Sequence, residues 1–138
     1  VLMTVRGINY SSAKDGLFSE AHYRGSSDWM QEHVPAGSVV FHNLWDMSMV
    51  FFYLADTHRY IVGLDPRLMY DRNPELYDEW MALQTGGDPD VGKIERDFHA
   101  SAVLVDKRVV GGFVDNLNAS PLFEKGYEDE WMMVYVLK

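Results

Sequence analysis

Three short apolar runs, separated by stretches of helical periodicity, constrain the fold of this chain more than any other feature. They are residues 38–41 (SVVF), 60–64 (YIVGL) and 102–106 (AVLVD). Each is too short for a stable helix and reads as a buried strand. Between the first two, Met47, Val50, Phe51 and Leu54 recur at i, i+3, i+4, i+7, with Asp46 placed to cap the helix they predict. Between the second and third, Asn73-Pro74 is a strong helix start, because Asn caps and Pro at the first helical position has no amide to waste. Its stripe is Leu76, Tyr77, Trp80 and Leu83, and Gly86-Gly87 ends it. Asp90 caps a further helix with Val91, Ile94 and Phe98 inward.

Upstream, Ser26 or Ser27 caps a helix carrying Trp29, Met30 and His33, which stops at Val34-Pro35-Ala36-Gly37. Downstream, Gly111-Gly112 opens a short helix through Leu117. Residues 123–127 and 131–137 then read as two strands joined by Glu128-Asp129-Glu130, most simply a hairpin. The order β-α-β-α-α-β-α-β-β predicts an α/β fold: a three-layer α/β/α domain with a mostly parallel sheet and a C-terminal antiparallel hairpin. One domain over residues 26–138 follows a weakly patterned lead-in arm or short helix over 1–25.

The chain has 138 residues, sufficient for one domain with a real core. Its net charge of −9 and pI near 4.8 disfavour nucleic acid and anionic lipid as partners, since both need clustered Lys and Arg. The absence of cysteine excludes disulfides, thiolate zinc sites and cysteine nucleophiles. The longest apolar stretch, 41–55, is broken by His42, Asn43 and Asp46, so no membrane span is expected in it. The opening at Val1 rather than Met reads as a piece of a longer polypeptide. No phosphate-loop, HExxH or GxSxG motif occurs, so neither a cofactor nor a catalytic residue is assigned.

Sheets of this kind bind ligands outside the carboxyl ends of their strands. His42, Trp45, Asp46, Arg59, Asp65 and Tyr70 are the polar and aromatic residues expected there. Trp45-Asp46 sets an aromatic face beside a carboxylate, a way to grip a sugar or peptide. A core Trp next to a helix cap is the alternative. Arg59 can clamp a carboxylate or phosphate, or pair internally with Asp56 or Asp65. His42, Asp46 and Asp65, with Asp71 nearby, are weak metal-ligand candidates; cap and turn roles explain both aspartates without a metal.

Several blocks together resemble a known family: Trp29-Met30, Val34-Pro35-Ala36-Gly37-Ser38-Val39-Val40-Phe41, Trp45-Asp46, Phe51-Phe52-Tyr53, Arg59-Tyr60-Ile61-Val62-Gly63-Leu64-Asp65-Pro66, Glu75-Leu76-Tyr77, Tyr127-Glu128-Asp129-Glu130 and Val134-Tyr135-Val136-Leu137. This pattern resembles the soluble C-terminal domain of polytopic bacterial membrane proteins similar to lipid-phosphate-sugar-dependent glycosyltransferases. More distantly it resembles the globular domain of the oligosaccharyltransferase catalytic subunit. Of that domain's Trp-Trp-Asp-Tyr-Gly motif Trp45 and Asp46 match, while Leu44, Met47 and Ser48 depart. The resemblance implies an extracytoplasmic, periplasmic domain whose partner is the membrane domain of the same polypeptide. It would support that domain or bind acceptor or glycan through Trp45, Asp46, Arg59, Asp65 and Tyr70, without being a complete catalyst. A stand-alone metal-assisted hydrolase using His42, Asp46 and Asp65, and a structural or oligomerisation domain, are the alternatives.

Overall fold

A computed structural model describes residues 20–45, 54–63, 65–109 and 111–138. Helix α1 spans Glu20–His33, followed by strands β1 (Val39–His42) and β2 (Arg59–Tyr60). Helices α2 (Pro66–Arg72), α3 (Pro74–Gln84) and α4 (Lys93–Arg96) lead to β3 (Ala100–Asp106). Helix α5 (Gly112–Ala119) precedes β4 (Phe123–Glu128) and β5 (Met132–Leu137). The helix expected after Asp46 has its cap and most of its stripe, Met47, Val50 and Phe51, outside the described residues.

The strands form one mixed sheet in the order β2-β1-β3-β5-β4. β1 is parallel to both β2 and β3, whereas β5 is antiparallel to β3 and to β4. The fold is therefore α/β. The sheet is mixed rather than mostly parallel: the parallel pairings of β1 are at one end, and β5, inserted between β3 and β4, makes the other two pairings antiparallel. This position also explains why residues 131–137 are so apolar: Met132, Met133, Val134 and Tyr135 are buried between two neighbouring strands.

Side chains alternate across the pleat, so β1, β3 and β5 each feed two apolar clusters. Phe41, Val103, Val105, Met133 and Tyr135 join Trp80 and Leu83 of α3, Ile94 of α4 and Phe113 and Leu117 of α5. Val40, Ala102, Leu104, Met132 and Val134 join Tyr23 and Met30 of α1, with Leu54 and Ala55 from the β1–β2 connection. The two parallel crossovers leave β1 and β2 in opposite directions across the sheet.

Helix α1 reaches back at least to Glu20, into the residues expected to form a lead-in arm. Ser26 and Ser27 are buried inside it rather than capping it, and Ser26 Oγ donates to the Tyr23 carbonyl at 3.0 Å. Helix α3 starts as the Asn73-Pro74 signal predicts, with Asn73 Oδ1 accepting the Leu76 amide at 3.0 Å. Asp90 sits just before α4 and accepts the Gly92 amide, while Val91, Ile94 and Phe98 point inward as expected.

Gly126 marks a register irregularity in β4, and a Cβ built there would lie 2.4 Å from Trp29 Cη2. The bulge and the missing side chain together let α1 lie close to the sheet. Gly126→Ala is expected to cost about 2 kcal/mol in urea unfolding, as overpacking does. The penalty should shrink in a Trp29→Ala background, where the clashing ring is gone.

Candidate functional site

The carboxyl ends of β1 and β3 are where a ligand is expected in this topology. The chain passes from β1 to β2 on one side and later returns to β3 on the other, so the strand order reverses at β1. Asn43, one residue past β1, bridges this point. Its Nδ2 donates to the Asp106 carbonyl at 3.1 Å and the Val109 carbonyl at 2.7 Å, and its Oδ1 accepts the Asp106 amide at 2.9 Å. Asp106 ends β3 with its carboxylate buried. It accepts the Arg108 guanidinium through both oxygens, and Arg108 Nη2 also donates to the Tyr23 hydroxyl at 3.1 Å. This pair ties α1 to the carboxyl end of β3.

His42 is fully buried, and both ring nitrogens are in use. Nδ1–H donates to the Leu44 carbonyl at 2.7 Å, while Nε2 accepts the Val62 amide at 3.3 Å. These partners define the neutral tautomer, and burial pulls the imidazole pKa down to about 4. Its backbone carbonyl accepts the Trp80 indole N–H at 3.0 Å. A ring committed in this way links β1 to the residues after β2 and keeps no lone pair for a metal. Among the described residues no group of three or more His, Asp or Glu side chains is placed to hold a metal ion. Asp46, one of the three expected ligands, lies outside the described residues.

Next to these buried links is a cleft of about 300 Å³ lined by Asn43, Leu44, Trp45, Pro66, Tyr77 and Gln84, among others. Trp45 is 44% exposed, unusual for the largest apolar side chain. Tyr70, itself 45% exposed, packs edge-on against Tyr77 at 5.4 Å and 86°. The Arg67 guanidinium lies 5.8 Å from the Tyr70 ring centroid. The cleft thus combines aromatic surface with the Gln84 amide, a mostly apolar lining with few polar groups as in small-molecule sites.

Asp65 is exposed and caps α2, its Oδ1 accepting the Arg67 amide at 2.8 Å. It also borders a second cleft of about 290 Å³ between residues 61–63 and α2. Arg59 stands apart from the other candidates. The register pairs Arg59 with Val39, the first residue of β1, so it lies roughly 10 Å along the strand from His42. Its Nε donates to the Gly37 carbonyl at 3.0 Å, and among the described residues it forms no ion pair with Asp56 or Asp65. The structure therefore gathers Trp45, Asp65 and Tyr70 around α2 and α3 and leaves Arg59 at the opposite, amino edge.

Sequence reasoning passed over Asn43, Tyr77 as a cleft wall, and α2 itself. Asp65-Pro66 carries the same cap-plus-proline signal as Asn73-Pro74 and could have revealed α2. Comparison with protein-family models, with curated proteins and with solved structures finds no match for this chain.

Proposed function

We propose that this chain is a non-catalytic, ligand-facing domain that binds a glycan or acceptor in the cleft at the carboxyl end of β1. In this reading it is the extracytoplasmic, periplasmic part of a membrane glycosyltransferase-like protein and works against that protein's membrane domain. The observation that carries the binding role is Trp45: a tryptophan 44% exposed, in a cleft beside Tyr77 and Gln84, at a strand's carboxyl end. A buried Trp would have argued for a core role. An exposed indole offers a sugar ring an apolar face, and the Gln84 amide beside it supplies a directed hydrogen bond. The block resemblance from Trp29 to Leu137 supports the membrane setting. In the same reading the two apolar clusters are the two faces of the sheet, giving a three-layer α/β/α domain closed by a β4–β5 hairpin.

Trp45→Ala tests the assignment. The 138-residue chain should keep its urea midpoint, with a change below about 1 kcal/mol, because an exposed side chain contributes little packing. The full-length parent protein should lose at least ten-fold in glycosyl transfer. A variant chain that unfolds, or a parent with unchanged transfer, would contradict the proposal.

A further inference from the structure

A third cavity, a groove of about 470 Å³, lies at the other end of the sheet from Trp45. Its floor is Val136 and Gly126, and its walls include Trp29, His33, Pro35 and Glu124. Val136 pairs with Ala102 near the start of β3, whereas Asp106 and the Trp45 cleft are at the end where β3 finishes. Four observations give this groove a chemical preference.

First, its aromatic wall is fixed. Trp29 and His33 are stacked at 4.5 Å between centroids with an interplanar angle of 6°. His33 Nδ1 donates to the Trp29 carbonyl at 2.9 Å, and Trp29 is seated over Gly126. Second, Glu124 stands opposite Val136 on β4 and is exposed. Its neighbour Lys125 is tied to Glu128, and among the described residues Glu124 has no ion-pair partner. Third, the groove abuts the C-terminal end of α1, where the helix dipole is negative. Pro35 lacks the N–H that would otherwise reach the Gln31 carbonyl, leaving that end rich in acceptors. Fourth, the chain carries a net charge of −9, which repels anions over the whole surface.

We propose that this groove binds a small organic cation: a primary ammonium on an apolar or aromatic body. The ammonium pairs with the Glu124 carboxylate and the α1 terminus, and Ser101 lines the same groove. The body lies along the Trp29–His33 wall and Val136. The volume is within the usual range for small-molecule sites, roughly 300–1,000 Å³.

Benzylamine, protonated at pH 7, is the probe, with benzyl alcohol and benzoate as neutral and anionic controls of the same size. Amide NMR shifts of the 138-residue chain should saturate with benzylamine at Ser101, Glu124, Gly126 and Leu137. Benzyl alcohol and benzoate should bind at least ten-fold more weakly. Glu124→Gln, a change at an exposed position, should weaken benzylamine at least ten-fold with an unchanged thermal midpoint. Raising the salt concentration should weaken it as well. Equal affinity for benzyl alcohol, unchanged affinity in Glu124→Gln, or shifts centred on Trp45 instead would each overturn the proposal. The readout is independent of whether the Trp45 cleft binds glycan.

Discussion

Asn43→Ala is expected to destabilise the fold by about 3 kcal/mol, among the largest effects of any single polar substitution in this chain. Three hydrogen bonds join its side chain to the end of β3 and the turn beyond it. Each is worth about 1 kcal/mol net, and the buried Asp106 amide left without its acceptor adds a further desolvation cost of about 1–3 kcal/mol. No water can easily replace the amide, because Asn43 and Asp106 are both at most 2% exposed. Asn43→Asp separates donation from acceptance. Its carboxylate keeps the acceptor for the Asp106 amide but faces the Asp106 and Val109 carbonyls with no proton to give. Near neutral pH it should therefore be worse than Ala. Burial against two carbonyls raises the new carboxyl's pKa above its unfolded value, so the variant regains stability as pH falls. Urea unfolding of both variants at pH 7 and pH 5 checks the order. An Ala variant within about 1 kcal/mol of the parent would show that the β1–β3 junction does not depend on this bridge.

Acidification should expose the second large effect, through His42. Its folded pKa, held down to about 4 by burial, lies below the ordinary 6.5. The unfolded chain therefore takes up a proton between those values while the folded chain does not. The stabilisation is complete above pH 6.5 and is lost as pH falls toward 4. The difference corresponds to about 3 kcal/mol. Carboxylates also titrate in this range, so the comparison is with His42→Gln. That variant should be destabilised at pH 7, because the Val62 amide and Leu44 carbonyl lose their shared partner. It should also lose the His42 part of the slope between pH 7 and pH 4. Parallel slopes in the two proteins would contradict the buried neutral imidazole.

Elements with both an end signal and an apolar stripe were legible in the sequence. α3 has Asn73-Pro74 at its start and Trp80 and Leu83 inside, and it formed as read. α2 has the start signal without the stripe. None of its residues is buried, so in the sequence Asp65-Pro66 reads as a loop. Ser26 and Ser27 failed in the opposite way. Small hydroxyl residues suit a helix cap, but they also suit a helix pressed onto a sheet, and the weak pattern of residues 20–25 hid the earlier start. The run 60–64 reads as a strand, yet among the described residues β2 pairs with β1 over Arg59–Tyr60. β-Propensity marks a segment that fits a sheet, whereas the available partner backbone decides its length.

The candidate site was legible to the extent that it depends on strand ends. Trp45 was placed on chain position alone, and the structure puts it, exposed, in a cleft. Arg59 is grouped with it in the sequence as one of the polar residues expected where strands end. Register decides otherwise, since pairing with Val39 sends Arg59 to the amino edge. Asn43 was invisible for a related reason. Its partners are Asp106 and Val109, more than sixty residues away, and no local pattern encodes a contact of that separation.

The most direct measurement is a titration of the 138-residue chain with short neutral oligosaccharides, followed by amide and indole NMR shifts. Saturable shifts at Leu44, Trp45, Tyr77 and Gln84, absent in a folded Trp45→Ala variant, are the result the account predicts. Oligosaccharides that leave those resonances unmoved, or move them equally in Trp45→Ala, would contradict a glycan site at the carboxyl end of β1.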